Sequence, residues 1–141
     1  FEKAAAALGI KIIGLVAPNT SKERASEIIR ASEKSGNQFT YLVSAKGTTG
    51  ARADAGNESI AFVKSTRKIG GPNAKLFVGF GISTQQQAKA YIDAGADGVI
   101  VGSGIINAYS KFMRQDGSID AEKAVKAAEE FAREIAAVRK V

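Results

Sequence analysis

Two glycine clusters hold the residues best suited to chemistry: Gly79-Phe80-Gly81-Ile82-Ser83 and Gly102-Ser103-Gly104. Glycine has no Cβ, so its backbone can come within hydrogen-bonding reach of a ligand. Where such a segment also opens a helix, the first N–H groups have no partner inside the helix, and the helix dipole favours negative charge there. A phosphate suits that arrangement, and the Ser103 hydroxyl adds a donor. Either cluster alone reads more readily as a tight turn between a strand and a helix. Two clusters at consecutive strand ends, the second opening a short helix, shift the weight to phosphate. The expected ligand is the phosphate of a small molecule, held at the two clusters.

A third segment, Ser44-Ala45-Lys46-Gly47-Thr48-Thr49-Gly50-Ala51-Arg52, is small, polar and glycine-rich. That composition suits a lid carrying the Thr49 hydroxyl and the Gly50 N–H to a ligand, and it suits an ordinary exposed loop equally well. Lys46 and Arg52 could face a phosphate or solvent. Tyr41, Phe80 and Ile100 fall on strands or at strand tips, where they serve either an apolar pocket or plain core.

The chain contains no cysteine and no histidine. This removes a disulfide framework, a thiol nucleophile, a Cys/His zinc site and a histidine base; no metal or cofactor is expected. Of the 14 acidic residues, most fall on helices, and no expected strand ends in a carboxylate. Asp97 precedes a strand, Asp54 stands alone in the lid segment, and Asp93 is at a helix end. The residues supply binding groups and no convincing acid–base pair.

The elements that must position these groups alternate. A helix end over 2–8 is stopped by Gly9. A strand over 10–17 precedes a helix over 21–35, opened by Thr20 with Glu23 as a capping box and ended by Gly36. A strand over 39–44 leads through the glycine-rich loop into a helix over 57–69. After the turn Gly70-Gly71-Pro72-Asn73 come a strand over 75–80 and a helix to Ala94, opened by Ser83 with Gln86 and closed by Gly95. A strand over 98–101, a short helix over 103–112, a turn at Asp116-Gly117 and a final amphipathic helix capped by Asp120 complete the chain.

These are four βα units in one domain spanning 1–141. Apolar strands alternating with helices predict an α/β fold with a parallel sheet. A doubly wound sheet and a piece of a (β/α)8 barrel both fit. A whole barrel needs roughly 250 residues, so the chain is short by about four units, and a lone half would leave two sheet edges open and one strand face uncovered.

The net charge of +6 raises the question of nucleic acid. Lys and Arg are spread along helices among glutamates, and only Arg67-Lys68 and Arg139-Lys140 form tight pairs, so a solvated basic surface is the expectation. No apolar run reaches the roughly 20 residues of a membrane span. The first residues read as mid-helix rather than as a signal peptide, and with no cysteine the expected location is the cytoplasm.

The ordered motifs resemble one family. Tyr41-Leu42-Val43-Ser44-Ala45-Lys46-Gly47-Thr48-Thr49-Gly50-Ala51, then Gly79-Phe80-Gly81-Ile82-Ser83, then Gly95-Ala96-Asp97-Gly98-Val99-Ile100-Val101-Gly102-Ser103 resemble the tryptophan synthase α subunit. Ile12-Ile13-Gly14-Leu15-Val16-Ala17-Pro18-Asn19-Thr20 is similar to the family's fifth strand and exit loop. The third motif alone is shared by many phosphate-binding barrels; the lid joined to the first glycine cluster is narrower.

The resemblance implies the C-terminal (βα)4 half of a TIM barrel, strands five to eight. It implies a lyase of tryptophan biosynthesis that cleaves indole-3-glycerol phosphate to indole and glyceraldehyde 3-phosphate by retro-aldol-like chemistry. Its glutamate and aspartate come from the first half of the barrel and map to nothing here. It places phosphate contacts on Gly50, Gly81, Gly102 and Ser103, lid support on Thr49, and the indole ring against Tyr41, Phe80 and Ile100. It implies a tryptophan synthase β subunit as partner. One departure is Ala45-Lys46 where the family usually carries arginine after the strand-ending serine. A self-pairing half-barrel binding module, or another phosphate-binding barrel enzyme, are the alternative expectations.

Overall fold

The computed structural model describes residues 2–34, 39–43 and 56–138. In chain order the elements are α1 (Glu2–Ala7), β1 (Leu15–Val16), α2 (Lys22–Lys34), β2 (Thr40–Val43), α3 (Asn57–Gly70), β3 (Leu76–Gly79), α4 (Gln85–Asp93), β4 (Gly98–Val99), α5 (Ser103–Ser110) and α6 (Ala121–Ala136). The four strands form one sheet in the order β1-β2-β3-β4, every pair parallel. A doubly wound sheet reverses its strand order at a switch point, whereas a barrel adds each strand beside the last. The unbroken order therefore selects the barrel piece over the doubly wound sheet.

The two faces of the sheet differ. Val16, Leu42, Leu76 and Val78 are buried and pack with Ala25 and Ile29 of α2, Val63 of α3, Ala88, Tyr91 and Ile92 of α4, and Ile135 of α6. The alternate residues Tyr41, Val43, Phe77 and Gly79 are half-buried, and Leu15 is 54% exposed. Among the described residues, helices cover one face only, as expected for half a barrel. On the open face, aromatic rings occupy space left by glycines of the next strand. A Cβ at Gly98 would sit 2.5 Å from the Phe77 ring, and one at Gly79 would sit 2.6 Å from the Tyr41 ring.

The strand expected over 10–17 is shorter than its apolar run. Its ladder is Leu15–Val16, extended by the Tyr41 N–H donating to the Gly14 carbonyl (2.8 Å). The register Leu15↔Tyr41 sets Gly14 opposite Thr40, where β2 begins, so the described ladder ends there. Ile10, Ile12 and Ile13 lie beyond it and are exposed.

Two helix starts are one residue later than expected. At α2 the Ser21 hydroxyl accepts from the Arg24 N–H (3.2 Å), while the Thr20 hydroxyl turns back to accept from the Ala17 N–H (3.0 Å). At α4 the cap is Thr84, not Ser83, and Gln87 completes the capping box. The run Ser83-Thr84-Gln85-Gln86-Gln87 permits both registers; the buried Gln87 side chain decides between them. Thr84→Ala is expected to lower stability by about 1 kcal/mol, seen as a lower urea midpoint at unchanged slope.

Stops fall where glycine was expected. Gly9 (φ 67°) follows α1, with Ile10 N–H on the Ala5 carbonyl, and Gly95 (φ 109°) follows α4, with Ala96 N–H on the Tyr91 carbonyl. Gly36 lies outside the described residues. Asp120 caps α6, and the hydrogen bonds it accepts from Lys123 hold its carboxyl below the ordinary carboxylate range. That stabilisation is present above the unfolded-state pKa and is lost as pH falls through the lower folded-state one. Among the described residues no helix is long and apolar enough to cross a membrane.

Candidate functional site

The site lies at the carboxyl ends of β3 and β4. β3 ends at Gly79, and the chain then turns through Phe80, Gly81 and Ile82 into the cap of α4. Gly81 has φ 73°, a left-handed conformation that favours glycine. Ile82 is 1% exposed, so its side chain fixes the loop to the core. β4 leads through Ile100 and Val101 to Gly102, which opens α5 with no side-chain cap.

The structure brings the two glycine clusters into contact. A Cβ at Gly104 would lie 2.7 Å from the Ile82 carbonyl oxygen, 2.8 Å from the Phe131 ring and 3.1 Å from Val101 Cγ1. Only a glycine lets the first turn of α5 lie directly on the β3–α4 loop. Inside that turn the Ile105 and Ile106 N–H groups reach the Gly102 carbonyl at 3.1 and 3.2 Å. Among the described residues no hydrogen bond occupies the amides of Gly81, Ser103 or Gly104. Gly102 is exposed, and a Cβ there would meet nothing within 4 Å. Unclaimed amides, a helix start and an open approach at Gly102 can hold an anion.

Tyr41 leans across the open face of the sheet and lies over Gly79, beside the first cluster. Ile100 shares that face by alternation with Gly98, which pairs with Phe77, and its N–H is tied to the Val78 carbonyl (2.7 Å). Phe80 is placed differently. It follows the alternation of Leu76 and Val78, and its ring packs against Phe62 of α3 (centroids 6.0 Å) and edge-on against Tyr91 of α4 (5.3 Å). Tyr41 and Ile100 thus share the open face, while Phe80 anchors to the helix layer. Lys46, Thr49, Gly50, Arg52 and Asp54 lie outside the described residues.

The charged residues are engaged elsewhere. Asp97 sits at the opposite, amino-terminal end of the strands. There its carboxylate accepts from the Arg67 guanidinium and from the Leu76 N–H (2.9 Å). Asp93 pairs with Lys89 on the surface of α4 (2.7 Å). A groove of about 680 Å³ lies at the β1 edge, between α1 and α2, and is lined by Ile10, Ile12, Ile13 and Ile28 among others, none of them site residues.

Sequence reasoning missed the supports of the site. Gln87 is 5% exposed, and its side-chain oxygen accepts from the Ser83 N–H (2.8 Å) and the Thr84 N–H (3.2 Å). The Tyr91 hydroxyl shares a hydrogen bond with Ser59 Oγ (2.9 Å). The available signal for Gln87 was the capping-box spacing counted from Thr84.

Gly102→Ala separates a structural role from a ligand role. At φ −116° with open space around it, alanine fits, and stability is expected to change by less than about 1 kcal/mol. The added methyl intrudes where the anion approaches, so affinity for a phosphate ester is expected to fall about tenfold; calorimetric titration and urea unfolding read the two effects apart.

Comparison with known proteins bears on this geometry. The family model "Tryptophan synthase alpha chain" matches residues 1–139. The curated tryptophan synthase alpha chain of Thermococcus kodakarensis is 46% identical over 111 residues, covering 79% of this chain and 42% of that protein. The one from Synechocystis is 35% identical over 133 residues, 94% of this chain and 46% of that protein. Among solved structures, a mutant tryptophan synthase alpha-subunit from Pyrococcus furiosus superposes with a TM-score of 0.74 at 26% identity, covering 96% of this chain and 49% of that one. A chain from a study of mutual activation of the Pyrococcus furiosus tryptophan synthase a2b2 complex gives 0.74 at 29% identity, with the same coverage. The chain spans about half the length of the relatives it matches. With its parallel half-barrel sheet and its family-model match over residues 1–139, the chain belongs to the tryptophan synthase alpha chain family.

Proposed function

We propose that this chain is the phosphate- and indole-binding half of a cytoplasmic lyase that cleaves indole-3-glycerol phosphate to indole and glyceraldehyde 3-phosphate. The observation that carries the reading is the apposition of the glycine clusters, Gly104 against Ile82, beside the open Gly102. Amides of Gly81, Gly102 and Gly104, with the Ser103 hydroxyl, take the phosphate. Tyr41 and Ile100 flank the indole from the open sheet face, with Phe80 at the rim. Gly50 and Thr49 complete the grip from the segment after β2. Binding energy from the phosphate, remote from the bond that breaks, orients the reacting carbon. The acid and base come from carboxylates on the family's other barrel half. A β subunit receives the indole, by analogy with the a2b2 assembly of the Pyrococcus furiosus relative.

The test mixes this chain with the part of the Thermococcus kodakarensis relative that lies outside the matched span and assays indole release. Activity is expected only with both present. Indole release by the 141-residue chain alone would contradict the assignment.

A second reading rests on the exposed apolar β1 edge, where Ile10, Ile13 and Leu15 are 59%, 44% and 54% exposed. Two copies could close a barrel by pairing the β1 edge of one with the β4 edge of the other, which buries that surface and removes both open edges. A solution mass measurement decides: a monodisperse monomer excludes self-pairing.

A further inference from the structure

We propose that Gln87 and Tyr91, one turn apart on α4, are positioning residues that clamp the loop carrying Gly81 from both sides. The inference rests on the reading of Gly81 as a phosphate donor and adds the machinery that aims it. On the carboxyl side of Gly81, the buried Gln87 oxygen accepts the Ser83 and Thr84 N–H groups, at 2.8 and 3.2 Å, with the Ser83 hydroxyl at 3.3 Å. On the amino side, the Phe80 ring meets the edge of Tyr91 at 5.3 Å and 83° between planes, and packs on Phe62. Tyr91 is 3% exposed, and its hydroxyl is held by Ser59 in the first turn of α3, where Ser59 also donates to the Gly56 carbonyl (2.7 Å). Residues at i and i+4 of a helix share a face, so a single face of α4 carries both contacts.

The arrangement has two consequences. First, Ser83 and Thr84 cannot offer their amides to a ligand, because Gln87 already holds them. Among the described residues, the amides of this loop without an acceptor narrow to Phe80, Gly81 and Ile82. Second, the direction of the Gly81 N–H is set before ligand arrives, since the residues on both sides are anchored. Preorganised donors bind an anion without an ordering cost at the moment of binding. The clamp touches no ligand itself.

The experiment titrates the ¹⁵N-labelled chain with indole-propanol phosphate and follows the Gly81 and Gly102 amides. Gln87→Ala frees the loop and is expected to weaken binding five- to tenfold, the loss of about one to two hydrogen bonds' worth of preorganisation. Gln87→Glu keeps the acceptor oxygen and places a titratable charge beside the phosphate loop. The carboxylate still accepts the Ser83 and Thr84 N–H groups, so Gln87→Glu is expected to bind more tightly than Gln87→Ala and, before ligand is added, to leave the Gly81 amide signal near its wild-type position, whereas Gln87→Ala moves it. A residue that merely supports the fold would leave the Gly81 signal unmoved in both variants. Tyr91→Phe keeps the ring and loses the Ser59 bond; it is the milder variant and is expected to weaken binding two- to threefold. Normal wild-type binding, with the affinity and the free-state Gly81 signal unaltered in Gln87→Ala and Tyr91→Phe, would overturn the clamp alone. No saturable shift in the wild-type protein would overturn the phosphate reading, and the clamp with it.

Discussion

Replacing Gly104 by alanine is expected to weaken phosphate-ester binding tenfold or more and to lower stability by about 2 kcal/mol. The methyl would arrive 2.7 Å from the Ile82 carbonyl oxygen and 2.8 Å from the Phe131 ring. The ring can turn aside. The carbonyl cannot, because Ile82 is locked into the core on one side and Gln87 holds Ser83 and Thr84 on the other. The start of α5 must therefore lift away from the β3–α4 loop. That movement separates the Gly102 and Gly104 amides and the Ser103 hydroxyl from Gly81, which together make the proposed grip. Urea unfolding reads the stability change and calorimetry the affinity. Gly102→Ala is the matched comparison: it lies two residues away in open space, so it lowers affinity with little change in stability.

Arg67→Met is expected to cost about 3 kcal/mol of stability and to leave the ligand affinity of the folded protein unchanged. The guanidinium reaches four partners: Nε donates to the Gly95 carbonyl (2.8 Å), Nη1 to those of Gly71 (2.8 Å) and Ala74 (2.7 Å), and Nη2 to the Asp97 carboxylate. These groups join the end of α3, the turn before β3 and the turn before β4. The Arg67 and Asp97 side chains are 18% and 15% exposed, so water screens the pair weakly. Methionine keeps much of the aliphatic stem and abandons Asp97 with its charge. Asp97→Asn should be milder, since an amide oxygen can still accept the Leu76 N–H. The lock joins the amino ends of the strands, opposite the site. A lower urea midpoint with unchanged affinity is the expected pair of results; weakened binding at full stability would place Arg67 in the site instead.

The elements were legible because their signals are local. Gly9 and Gly95 end helices through positive φ, and Asp120 caps α6, each within a few residues of the effect. The two glycine clusters were legible as ligand-binding candidates for the same reason. What the sequence could not show is where their backbones meet. The contact of Gly104 with Ile82 joins residues far apart in the chain and leaves no periodic mark. The Arg67–Asp97 lock is of the same kind: the arginine reads as half of a surface basic pair and the aspartate as a spare carboxylate until the fold sets them together. Phe80 shows a different limit. Its position at a strand tip is consistent with a pocket wall, but strand alternation sends its ring toward Phe62 and Tyr91. Ile10 to Ile13 read as strand from their apolarity, yet a strand needs a neighbour, and the described part of β2 begins opposite Gly14.

The most direct test of the phosphate grip is an amide-resolved titration of the ¹⁵N-labelled chain with indole-propanol phosphate, and with glycerol phosphate as the ligand lacking the ring. The account predicts saturable shifts for both ligands at Gly81, Gly102, Ser103 and Gly104, and additional shifts at Tyr41 and Ile100 for the indole compound alone. Saturable binding that left the two glycine clusters unmoved would contradict it.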